Sequence, residues 1–172
     1  MNHMEIVKEF IDQSIIRLDE YTKKVERCIE ELNEEEIWMR PNENSNSIGN
    51  LVLHIHGNIT QYIISSLDNH EDMRDRNHEF DARHGYNRSK LIQMLTSLSS
   101  NIKAIINQIS IDDLLKIRSV QGFRLSGLGI IYHVVEHYSY HTGQIVFWTK
   151  LLKNRDLGFY NDLDLNQRNI LN

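Results

Sequence analysis

The stretch His133-Val-Val-Glu-His137-Tyr-Ser-Tyr-His141-Thr-Gly-Gln144-Ile145 spaces three histidines four residues apart. On an α-helix such residues stand one turn above another and drift by about 40° per step, so the imidazoles form one stripe. At roughly 100° per residue, Ile130, Val134, Ile145, Trp148 and Leu152 fall in the same half of the helix. The stripe therefore points into a protein interior. Ser126 is placed to cap this helix, which is expected to run over about 126–153.

The same periodicity recurs upstream. Val7, Phe10, Ile11, Ile15, Leu18, Tyr21, Val25, Cys28, Ile29 and Leu32 keep three- and four-residue spacing, predicting a helix over about 3–32. Pro41 and the Asn and Ser residues between Asn33 and Asn46 interrupt it and imply an ordered connector, pinned to the bundle end by Trp38 and Met39. Ser45 or Ser47 caps a second helix over about 47–67. A polar segment then runs to Asn87, and Ser89 is expected to cap a third helix over about 89–109, with Ile92, Leu95, Leu98, Ile102, Ile105, Ile106 and Ile109 as its stripe. Ser119 to Leu125, with Val120 and Phe123 around Gly122, reads as an extended crossing or small hairpin. Residues 154–172 form a tail in which Leu157, Phe159, Tyr160 and Leu163 can pack back. The expected fold is all-α, an antiparallel four-helix bundle in a single domain over 1–172.

Composition agrees with that reading and excludes other classes. The 172 residues are 40% hydrophobic and 25% charged with one proline, which suits long helices around one core. A formal charge of -5 argues against a nucleic-acid partner. The arginines between Arg74 and Arg88 are diluted by Glu71, Asp72, Asp75, Glu79 and Asp81, so the stretch reads as a solvated loop, too charged to bury. Cys28 is the one cysteine and sits on an apolar stripe, which excludes an internal disulfide and predicts a small buried side chain. Met1 to Phe10 lacks the apolar run of a signal peptide, and no stretch reaches the length of a membrane span. A cytoplasmic location without a membrane partner is expected.

Two histidines four apart on one helix can bring both rings to one ion. A third ligand must come from another element. His54 lies beside an apolar arc of Leu51, Ile55 and Tyr62, whereas His56 falls roughly 200° away toward solvent, so His54 is the candidate. His133 shares the stripe as a hydrogen-bonding neighbour or an alternative ligand, and the pattern leaves that choice open. Three neutral ligands leave coordination open and the ion's charge undiminished, so it can lower the pKa of a bound water or thiol. Asn58 and Gln144 lie within roughly 40° of the histidine directions and are expected to orient a ligand or substrate. Glu136 is about 100° from His137, where a surface salt bridge is favoured over support of the site.

The segments Ser47-Ile-Gly-Asn-Leu-Val-Leu-His54-Ile-His-Gly-Asn58 and His133 to Ile145 resemble the DinB-like (YfiT-like) metalloenzyme family, and the resemblance spans nearly the whole chain. It implies that His54, His137 and His141 bind one divalent metal ion, zinc, nickel or similar. Thr142 stands where many relatives have Arg, so no basic substrate contact is inferred there. The resemblance also implies a homodimer and a small-molecule substrate. It favours a transferase that uses a metal-activated low-molecular-weight thiol, with a metal-dependent hydrolase or a non-catalytic metal-stabilised binding or stress-response protein as alternatives.

Overall fold

The apolar stripe of the first segment forms one helix, α1 (His3–Glu31), in the computed structural model, which describes residues 3–169. The connector is ordered and contains α2 (Glu34–Trp38). Its cap is reciprocal, because the Asn33 side chain accepts from the Glu36 amide while the Glu36 carboxylate accepts from the Asn33 amide. Trp38 anchors this end by donating its indole N–H to the Tyr86 carbonyl at 3.1 Å. Its ring lies so close to Gly49 that a Cβ there would meet it at 2.8 Å. Met39, expected to share the anchoring, is instead exposed.

Of the two serines weighed as caps for the second helix, Ser47 performs the task, accepting from the Asn50 amide at the start of α3 (Ile48–Ile59). The helix continues as a π-turn over Thr60–Ser65. The polar segment beyond it departs from expectation: it holds a short helix, α4 (Arg76–Asp81), capped by Asp75. The third long helix, α5 (Arg88–Gln108), begins earlier than expected. Asn87 rather than Ser89 is its cap, because Asn87 has the extended backbone that lets its Oδ1 accept from the Lys90 amide at 2.9 Å.

After a five-residue helix, α6 (Ile111–Leu115), the extended crossing resolves into an antiparallel hairpin of β1 (Ile117–Val120) and β2 (Phe123–Ser126). Gln121 and Gly122 turn it with positive φ angles of 51° and 83°, the left-handed pair that matches strand twist in a two-residue loop. The last helix, α7 (Gly127–Lys153), is capped by Ser126, as expected, and ends on Asn154 in a left-handed conformation. Of the tail, Leu157 is buried and Phe159 packs on the core, while Leu163 is exposed.

Four long helices make the bundle, with α1 packed on α5 and α7, and α3 packed on the same two. Side-chain bonds give their directions. Asp19 meets Lys103 while Arg88 reaches the Glu30 carbonyl, so α1 and α5 are antiparallel. His54 meets His137 and Asn58 meets His133, so α3 and α7 are antiparallel. Tyr138 donates to Thr22, and Lys153 bonds Glu36 just past the end of α1, so α1 and α7 run the same way. The 22 residues between the π-turn and α5 therefore return the chain across the bundle before α5 starts, and it is this return that lays α4 beside α3.

One continuous core holds the four together, including Leu18, Ile29, Ile55, Leu91, Ile106 and Ile130, all fully buried. Each such side chain stabilises the fold by roughly 1.5–3 kcal/mol relative to exposure. Cys28 is buried among them, and burial pushes its thiol up to about 11. Among the described residues no helix is long and apolar enough to cross a membrane.

Candidate metal centre

The i, i+4 spacing on α7 and the antiparallel approach of α3 bring three imidazoles together. His54 Nε2 lies 3.1 Å from His137 Nε2, which lies 3.2 Å from His141 Nε2. All three ligand nitrogens fall within 4.8 Å of one another. Two ring nitrogens bound to one tetrahedral ion at about 2.0–2.1 Å stand roughly 3.3 Å apart, so the 3.1 and 3.2 Å separations fit such a site.

Protonation makes the same point chemically. His54 Nδ1 is 2.8 Å from Glu79 Oε2, and a carboxylate only accepts, so Nδ1 carries the hydrogen, and the neutral tautomer this selects has its lone pair at Nε2. His141 Nδ1 donates to Gln144 Oε1 at 2.7 Å, which leaves its Nε2 as a lone pair too. Both lone pairs point at His137 Nε2. Burial, then the neighbouring imidazoles and Arg74, push His137 down to about 3, and burial also lowers His141. One hydrogen on His137 Nε2 can satisfy one of these neighbours, not both. A divalent cation satisfies all three nitrogens at once.

Behind His54 stands a buried ion pair. Arg74 donates to Glu79 through Nε (2.7 Å) and Nη2 (2.9 Å), and its Nη1 donates to Gln61 on the π-turn (2.8 Å). The Arg74 and Glu79 side chains are 3% and 7% exposed. Burial raises the Glu79 pKa, but the hydrogen bonds from Arg74 and His54 outweigh it and hold the carboxyl below its usual range. The carboxylate thus fixes the tautomer and ring plane of His54, the usual work of an acidic partner behind a metal-binding histidine. Asn50 adds a second hold by donating to the backbone carbonyls of Glu79 (2.9 Å) and Ala82 (2.8 Å). Gly57 makes the approach possible, since a Cβ there would lie 1.9 Å from Glu79 Oε1.

These supporting residues correct the solvated-loop reading of 74–88. Charge counting failed because the local acidic and basic side chains do not all go to water: Arg74 and Glu79 neutralise each other inside the fold. Gly57, one turn past His54, was the signal available in the sequence, as a place where another group comes close.

The remaining candidates take different positions. Gln144 touches His141 as described. His133 stacks on Tyr62, ring centroids 4.3 Å apart, and its Nε2 takes a 3.5 Å contact from Asn58 instead of joining the three nitrogens. Asn58 therefore contacts His133 and not the three clustered histidines. Glu136 is exposed on α7. His56, expected to face solvent, is half-buried, and burial lowers its pKa.

A cleft of about 680 Å³ opens onto His54 and His141. Its walls are largely aromatic and aliphatic, with Leu51, Phe80, Tyr140, Phe147 and Trp148 among them. Phe80 packs on the His54 ring at 4.7 Å. The triad is thus buried on its protein side and reachable from the other.

The four long helices have the fold seen in solved DinB-like structures. A DinB-like protein from Bacillus subtilis superposes with a TM-score of 0.65 at 14% identity, over 84% of this chain and 94% of that one. A conserved Enterococcus faecalis protein gives 0.64 at 15% identity, over 90% and 99%. YfiT from Bacillus subtilis, described as a probable metal-dependent hydrolase with an unusual four-helix bundle topology, gives 0.69 at 14% identity, over 83% and 87%. At these identities the likeness is one of fold. A search of curated proteins gives no match. The chain belongs to the family described as Protein of unknown function (DUF1572), whose model matches residues 5–161.

Proposed function

We propose that this protein is a divalent-metal-dependent enzyme, with hydrolysis of a small molecule as its chemistry. The observation that carries the reading is the convergence of three Nε2 atoms, with successive separations of 3.1 and 3.2 Å, beside an open cleft lined by His54 and His141. The description of YfiT as a probable metal-dependent hydrolase supports it. A divalent ion held by His54, His137 and His141 would supply Lewis-acid activation of water.

The chain's own groups do the rest. Glu79 and Gln144 hold the hydrogens on Nδ1 of His54 and His141, keeping both Nε2 lone pairs aimed inward. Phe80, Phe147 and Trp148 wall the approach with apolar surface, which lowers the local dielectric and strengthens charge stabilisation at the triad. Hydrolysis is favoured over thiol transfer because YfiT is described as a probable metal-dependent hydrolase, and water needs no binding site of its own.

The test is turnover of a panel of apolar esters and amides by zinc- and nickel-loaded protein, with and without an added low-molecular-weight thiol. Thiol-independent product that disappears in His137→Ala is the expected result. Product that requires the thiol would replace hydrolysis by transfer, and full metal occupancy without turnover on any substrate would favour a binding role.

A further inference from the structure

The cleft over the triad contains one formal charge. Among its lining residues only Arg76 is ionic, and no carboxylate lines it. The guanidinium lies over the Phe80 ring at 4.8 Å, and the same ring packs on His54 at 4.7 Å. Arg74, two residues earlier, is spent on Glu79 and Gln61. Arg76 has no hydrogen bond or salt bridge among the described residues. Glu79, the buried carboxylate of the same short helix, is already committed to Arg74 and His54. Asp75 Oδ1 is committed to the cap of α4.

An arginine held against an aromatic ring, beside an apolar cleft and without an acidic partner, is arranged to meet an anion from outside. One guanidinium balances one negative charge, which fits a carboxylate better than a phosphate monoester carrying about −1.5 to −2. The apolar walls require an apolar body next to that charge. Because one ring, Phe80, touches both Arg76 and His54, the spacer between the carboxylate and the group presented to the histidines is short.

We propose that the cleft selects small monocarboxylates with an apolar or aromatic body, and that Arg76 is the specificity residue that receives the carboxylate. This deepens the enzymatic reading and rests on it for the reaction, but the binding contact does not need the metal.

The experiment is calorimetric binding of 4-phenylbutyrate and its neutral amide, 4-phenylbutyramide, to metal-free and zinc-loaded protein, in wild type, Arg76→Gln and Arg76→Lys. Arg76 is exposed, so both variants are expected to fold, and circular dichroism and zinc content verify this. The acid is expected to bind wild type about ten-fold or more tightly than the amide, as a charge-assisted contact allows. Arg76→Gln should erase the preference and Arg76→Lys keep part of it, with and without zinc. Equal binding of acid and amide by wild type, no binding of either, or an unchanged preference in Arg76→Gln would overturn the proposal. A preference seen only with zinc and lost in His137→Ala would put the carboxylate on the ion, overturning the Arg76 assignment while leaving the metal centre standing. An Arg76-dependent preference in protein that takes up no zinc would do the reverse.

Discussion

The buried surface of α1 and α5 is mainly aliphatic, whereas the surface that α4 and α7 share with α3 adds buried polar groups and an ion pair to its aliphatic residues. On the first side Leu18, Val25, Ile29, Leu91 and Ile102 are buried, and the hydroxyls of Ser14 and Thr22 bond carbonyls of their own helix. On the second side Asn50, His54, Asn58, Glu79 and His141 are buried. The first arrangement stabilises by removing apolar area from water. The second desolvates charges and aims lone pairs at one point, and both operations cost stability. A fold keeps such a costly region for what it binds, so mutations on the two sides should separate stability from metal affinity.

The largest effect is expected from Glu79→Ala, which leaves Arg74 as a buried charge without its partner. Breaking such a pair costs about 3–5 kcal/mol, and loss of the carboxylate behind His54 should weaken metal binding by roughly 10–100-fold. Denaturant unfolding and a competitive metal titration read the two effects. An unchanged unfolding midpoint would show that the network is not a buried one. Ile29→Ala on the aliphatic side should cost about 2–5 kcal/mol by transfer and cavity terms, yet leave metal affinity within about three-fold, a margin too small to reach the triad energetically.

Acidification should next distinguish the sides in metal-free protein. His137 is pushed down to about 3 from 6.5, so between those values the unfolded chain binds more protons than the native one, and stability falls as pH falls. The lowered Glu79 carboxyl acts in the same direction, contributing stability above its unfolded value that is lost as pH drops. Thermal melts from pH 7 to pH 4 should therefore decline, and a melting temperature that rises on acidification would refute the buried neutral imidazoles. The smallest effect belongs to Lys103→Ala. Its 2.8 Å pair with Asp19 is about one-third exposed on both sides, so less than about 1 kcal/mol is expected in denaturant unfolding.

The two sides also differed in how much of them the sequence disclosed. Four helices were legible because apolar residues recur every three or four positions in each, and the ligand side of α7 because three histidines share that period. His54 could be chosen over His56 by helical angle. The relative directions of α1 and α7 were not legible, since periodicity marks a helix's inward face and says nothing of its neighbour's sense. Glu79 escaped because the histidine it holds lies 25 residues earlier in the chain, Arg74 because it is neutralised by Glu79 inside the fold, and a six-residue helix is too short to show a stripe. The π-turn that presents Gln61 and Tyr62 leaves no pattern in residue type either.

The central claim is that His54, His137 and His141 hold one divalent ion. It is tested most directly by zinc titration of metal-free protein, followed by metal analysis, for wild type and for His54→Ala, His137→Ala, His141→Ala and His133→Ala. One equivalent should bind to wild type and to His133→Ala, while each of the other three variants, still helical by circular dichroism, fails to retain it. A full equivalent retained by folded His137→Ala would contradict the assignment.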